Sequence, residues 1–166
     1  MSIEENVKKI KEEIAKAALS CGRDPKDILL CAATKMNDTP AVREAILSGV
    51  DLCGENRVQE LTAKLAEHAY DGAPVHFIGH LQTNKVKQVV GRVSIIESVA
   101  SLRLAQEISR RSEMLGITTD ILVEINSGRE ENKGGVLPED ARSAVEDFGA
   151  LPGIRVRGLM TMAPVC

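Results

Sequence analysis

Ile28-Leu29-Leu30-Cys31-Ala32-Ala33, running on into Thr34-Lys35-Met36-Asn37-Asp38-Thr39-Pro40, decides the fold. The first six residues are apolar without a polar face, the mark of a short strand covered on both sides. A helix start follows almost at once. Thr39 caps it, Pro40 sits in its first turn and Gly49 ends it. A doubly covered strand followed by a helix is half of a βαβ unit, so the neighbouring strands should be parallel.

The unit recurs along the chain. Strands are expected at Asp51–Cys53, Val75–Ile78, Ser94–Glu97, Ile121–Asn126 and Ile154–Met160, making six with Ile28–Ala33. Helices are expected over Arg57–Ala69, Asn84–Val90, Ser101–Leu115 (closed by Gly116) and from Pro138 to Gly149. An extra helix precedes them all. Ser2-Ile3-Glu4-Glu5 has the capping-box spacing, and Ile3, Val7, Ile10 and Ile14 form one apolar stripe that stops near Gly22. Two α/β architectures fit, an open doubly wound sheet and a (β/α) TIM-type barrel. No G-x-G-x-x-G follows the first strand, which weakens the nucleotide-binding form of the open sheet. An eight-stranded barrel takes roughly 250 residues and rarely fewer than about 200. The 166 residues are therefore expected to form a single barrel-like domain, incomplete, with six of the eight strands.

Composition narrows the function. Hydrophobic residues make up 43% and the net charge is −3, which suits a soluble protein and argues against a nucleic-acid or anionic-membrane partner. Tyr70, Phe77 and Phe148 are the only aromatic residues, too few for a base-stacking platform. Cys21, Cys31, Cys53 and Cys166 form no C-x-x-C pair, so no metal site is expected, and Cys31 and Cys53 should be small buried hydrophobes. An acidic N-terminus and the lack of a bilayer-length apolar run point to a cytoplasmic home.

Sites in parallel α/β folds lie beyond the carboxyl ends of the strands. Those ends offer Thr34-Lys35, Gly54-Glu55-Asn56-Arg57, Gly79-His80-Leu81-Gln82, Glu97-Ser98, Asn126-Ser127-Gly128 and Met160-Thr161-Met162. Lys35 leads the set, because a lysine leaving an apolar strand can be desolvated and attack a carbonyl; the plainer reading is a solvated ammonium. His80 suits a general base or a ring packed on a ligand, and equally a structural loop histidine. Asn56 and Asn126 suit ligand hydrogen bonds or simple turns. Glu124, Arg155 and Arg157 interrupt apolar strands and read as a buried structural ion-pair network. Lys85 and Lys87 read as a solvated face. Met160 and Met162 read as core fillers first and ligand contacts second.

Ala32-Ala33-Thr34-Lys35, Gly54-Glu55-Asn56-Arg57-Val58-Gln59-Glu60 and His76-Phe77-Ile78-Gly79-His80-Leu81-Gln82-Thr83-Asn84-Lys85 resemble the pyridoxal 5′-phosphate (PLP) homeostasis protein family. The stretch from Val123-Glu124-Ile125-Asn126 through Lys133-Gly134-Gly135, and Arg157-Gly158-Leu159-Met160-Thr161-Met162, continue in register over nearly the whole chain. The resemblance implies a fold related to the N-terminal barrel of alanine racemase and PLP held as a Schiff base on Lys35. It assigns Asn56, His80, Asn126, Met160 and Met162 to cofactor binding and names no catalytic residue. The implied role is regulatory, carrying or buffering PLP in vitamin B6 and amino-acid homeostasis without established turnover, with PLP-dependent apoenzymes as partners. A monomer or weak homodimer is expected. Family members continue with a Ser-Met-Gly-Met-Ser-type segment and an Arg-Ile-Gly-type turn that supply a phosphate cup, and neither is found before Cys166. The alternatives are a racemase-like PLP enzyme and a truncated form with weakened PLP binding. The enzyme would need a second acid/base group, and Tyr70, expected in a helix end or loop, is poorly placed to be one.

Overall fold

A computed structural model describes residues 2–130 and 134–163, so Lys133 and Cys166 lie outside the described residues. Among those residues, six strands follow one another along the chain: β1 (Cys31–Ala33), β2 (Leu52–Glu55), β3 (Val75–Phe77), β4 (Ile95–Val99), β5 (Thr119–Glu124) and β6 (Ile154–Met160). The pairs β1–β2, β3–β4, β4–β5 and β5–β6 are parallel. Five α-helices accompany them: α1 (Ile3–Ser20), α2 (Thr39–Leu47), α3 (Val58–Ala66), α4 (Leu102–Leu115) and α5 (Ala141–Gly149). After β3 the expected helix is a 3-10 stretch, Thr83–Gln88. The chain divides into two compact units, residues 1–75 and 76–166.

In the first unit, Ser2 and Glu5 close the capping box of α1 through Ser2 N to Glu5 Oε2 at 2.8 Å and Glu5 N to Ser2 Oγ at 3.1 Å. Val7 and Ala18 are buried, whereas Ile10 is 43% exposed, so the expected stripe is only partly covered. The strand expected from Ile28 begins only at Cys31. Pro25–Asp27 form a 3-10 turn, and the Leu30 amide donates to the Asp51 carboxylate at 2.7 Å. Cys31 is exposed, against expectation, because β1 hydrogen-bonds to β2 alone and its side chains lie partly in solvent. Cys53 is buried as expected, within a β2 that is buried throughout. Asp38, not Thr39, caps α2: its carboxylate accepts from Ala41 N at 3.0 Å, and Thr39 is the first helical residue.

In the second unit, Phe77, Ile96, Ile108, Ile121, Val123 and Phe148 are the large buried side chains around β3–β5, α4 and α5. Burying each such side chain stabilises the fold by about 1.5–3 kcal/mol. Ser101 caps α4, and Gly116 ends it in the left-handed conformation at φ 65°. β6 alternates in burial after Ile154 instead of being covered on both faces. The buried network expected of Glu124, Arg155 and Arg157 is not formed. Arg155 donates to both Asp120 oxygens, at 2.7 and 3.0 Å, and Arg157 approaches Asp120 at 3.7 Å, both arginines being exposed. Asp120 takes the role expected of Glu124 because it lies beside Arg155 in the register of β5 and β6. Among the described residues, no helix is long and apolar enough to cross a membrane.

Candidate functional site

Lys35 stands at the tip of a turn. Thr34, just past β1, is buried; its amide donates to Gly54 O at 2.9 Å and its hydroxyl to Glu55 Oε2 at 3.0 Å. Asn37 N closes the turn on Thr34 O at 3.1 Å. Met36 follows Lys35 at φ 63°, a left-handed conformation that bulky residues seldom adopt. The turn lifts both side chains off the strand, so Lys35 is exposed and not desolvated by the apolar run before it. Its amine is open to a carbonyl compound in solution.

Beneath the turn lies a buried polar cluster. Lys64 on α3 is 7% exposed. Its Nζ donates to Thr34 O at 2.6 Å, Glu55 Oε2 at 2.7 Å and Glu60 Oε2 at 3.2 Å. Glu60 Oε2 also accepts from Met36 N at 2.8 Å, and Asn37 Nδ2 donates to Lys35 O at 3.1 Å. The Met36 N–H first, and Lys64 after it, hold the Glu60 carboxyl below its ordinary range. Burial pushes the Cys53 thiol up to about 11, with the Glu55 carboxylate adding to the effect, so this thiol is a poor nucleophile. Tyr70 is buried in the turn after α3 and donates to Glu55 Oε2 at 3.2 Å; burial pushes its phenol up as well. Asn56, held by its amide on Glu55 Oε1 at 2.8 Å, keeps a buried Oδ1 with no hydrogen-bond partner among the described residues. That orphan acceptor fits a bound donor. Sequence reasoning singled out Lys35 and Asn56 as candidates and missed the polar cluster packed beneath them. The signal was Lys64 three residues after Leu61 and six after Val58, on the helix face those apolar residues bury.

In the second unit, His80 after β3 is exposed, and Glu124, at the end of β5, is half-buried. Burial pushes the Glu124 carboxyl up, and the charge of His80 opposes that rise. Ser98 Oγ donates to Gly79 O at 2.5 Å, fixing the loop that carries His80. Asn126 is half-buried and shapes its own loop: Nδ2 donates to Glu130 O at 2.9 Å and Oδ1 accepts from Glu130 N at 3.1 Å. Met160 is half-buried at the end of β6. Met162 is 71% exposed and is no core filler, because it lies past the last residue of β6. Lys85 is half-buried and Lys87 exposed.

Parallel strands in chain order, alternating with helices and presenting a lysine past the first, define a protein of the alanine racemase N-terminal-domain class. The family of that description matches residues 2–165. The fold class is therefore the (β/α) barrel of that family, of which six strands are present here. Within it, a pyridoxal phosphate homeostasis protein of Aquifex aeolicus is 40% identical over 160 residues, covering 96% of this chain and 70% of that protein. A crystal structure of an unknown protein from Bifidobacterium adolescentis is 40% identical with a TM-score of 0.88, covering 96% of this chain and 69% of that one. PipY of Synechococcus elongatus, solved with PLP bound, is 33% identical with a TM-score of 0.74, covering 92% of this chain and 72% of that one. The chain belongs to the pyridoxal phosphate homeostasis protein family.

Proposed function

We propose that this protein binds PLP as a Schiff base on Lys35 and serves intracellular PLP (vitamin B6) and amino-acid homeostasis. The observation that carries this reading is the exposed Lys35 amine on a turn whose backbone is bonded on both sides. Condensation of Lys35 Nζ with an aldehyde forms a C=N bond and releases the aldehyde oxygen as water, needing neither oxidant nor reductant. PLP, when bound, supplies a reversible electrophilic aldehyde. The orphan Asn56 Oδ1 is suited to accept from a polar group of the ligand. The PLP-bound relative PipY supports the choice of cofactor.

His80, Asn126, Met160 and Met162 are proposed cofactor contacts on the family resemblance. Asn126 would first release the Glu130 backbone. A carrier is favoured over a racemase-like enzyme because the Tyr70 hydroxyl is buried against Glu55. PLP-dependent apoenzymes are the proposed recipients. A reducing cytoplasm suits the unbridged thiols of Cys21 and Cys53.

The test is an absorbance titration with PLP, followed by borohydride reduction and peptide mapping, on wild type and Lys35→Ala. The expected result is a yellow band and a reduced adduct on Lys35 in wild type, both lost in Lys35→Ala. Adducts scattered over surface lysines in both proteins would refute the reading.

A further inference from the structure

We infer that Lys64 is a positioning residue for Lys35, holding the backbone on either side of it so that its amine meets the cofactor in one fixed orientation. This rests on the PLP-binding reading. The three acceptors of the Lys64 ammonium all bear on one turn. Thr34 O belongs to the residue before Lys35, at 2.6 Å. Glu60 Oε2, at 3.2 Å, also holds the amide of Met36, the residue after it. Glu55 Oε2, at 2.7 Å, also accepts from the Thr34 hydroxyl. With Asn37 Nδ2 on the Lys35 carbonyl, the Thr34 carbonyl, the Lys35 carbonyl and the Met36 amide are each bonded while the Lys35 side chain stays exposed.

A structural ion pair alone explains little of this. Burying a lysine and a carboxylate is often no better for stability than packing apolar residues of the same size. A strained left-handed Met36 persists only where its surroundings hold it, and Lys64 and Glu60 are those surroundings. Fixed orientation matters for a bond-forming lysine, because misplacement by about 1 Å can slow a reaction roughly a hundredfold.

Wild type, Lys64→Met and Glu60→Ala are compared as full chains, with folding checked by circular dichroism. Two quantities are read: hydrogen exchange of the Met36 amide without PLP, and the PLP titration with mapping of the reduced adduct. Both variants should exchange the Met36 amide about tenfold faster and need about tenfold more PLP for half-saturation. The reduced adduct should spread from Lys35 to other lysines. A purely structural pair would lower the melting temperature yet leave the titration and the adduct position of the folded protein as in wild type, and that result overturns the proposal. Should Lys64→Met fail to fold, Glu60→Ala, which keeps the Glu55–Lys64 pair, decides by the same readouts. A wild type that takes up no PLP on Lys35 defeats the functional reading instead. In that case faster Met36 exchange in Glu60→Ala still supports the clamp, and unchanged exchange overturns it.

Discussion

Lys64 and Asp51 show how single charged residues hold the backbone of the first unit. Removing one partner of a buried ion pair leaves the other unpaired, so Lys64→Met should destabilise the fold by about 3–5 kcal/mol in a urea titration. Asp51 works nearer the surface, binding Leu30 N at 2.7 Å and Lys11 Nζ at 3.1 Å. Burial raises its carboxyl, but the Leu30 amide and then Lys11 outweigh it and hold the group below its ordinary 3.8. A carboxyl held down in the fold contributes stability above its unfolded pKa and loses it as pH falls through the lower folded value. Asp51→Asn should therefore be less stable than wild type near neutrality by about 1 kcal/mol, the exposed Lys11 adding little. In melts at descending pH, the difference should close below about pH 4. Lys35 and Asn56 could be singled out as candidates because they stand just past strand ends, where parallel folds place ligands. Lys64 was passed over, because four residues after Glu60 it also reads like a solvated surface pair, a reading that competes with its place on the apolar face of α3.

Elements were legible where one signal acted alone. The stretch from Ile154 to Met160 is β6 with the same bounds, and Ser101 and Gly116 bracket α4 as capping chemistry requires. Boundaries moved where two signals competed. Asp38 and Thr39 are both good caps, and the carboxylate took the position. Ile28–Leu30 are apolar enough for a strand, yet a preceding 3-10 turn and the Asp51 carboxylate claim them. Past β5, Ile125 bridges Val136, and Asn126 N donates to Val136 O at 2.8 Å, so a returning segment meets the end of the strand. Gly135 permits that return. Its φ is 113°, and a Cβ there would stand 2.8 Å from Asn126 N. Gly135→Ala should destabilise the unit by about 1–3 kcal/mol and speed exchange of the Asn126 amide, while leaving the α4 amides protected.

At the scale of the molecule, the core is aliphatic and two strands have a free side among the described residues: β1 pairs only with β2, and β6 only with β5. Free strand edges invite pairing between chains, and charged side chains resist it. Arg155 and Arg157 act in that sense on β6, while Leu159, 55% exposed, does the opposite. A polypeptide of these 166 residues should be a monomer in exchange with a weak homodimer. Light scattering across a concentration series should show the apparent mass rising, and Leu159→Lys should flatten that rise; a constant mass in both would exclude association through β6. The same composition that leaves the core poor in rings makes the protein its own optical probe. It has no Trp and one Tyr, Tyr70, whose hydroxyl rests on Glu55 in the cluster under Lys35. A carboxylate bonded to a phenol dims its ultraviolet emission by drawing off the proton in the excited state. Any event that loosens the cluster should therefore brighten the protein, so the state of the lysine turn can be followed by light alone, without a label.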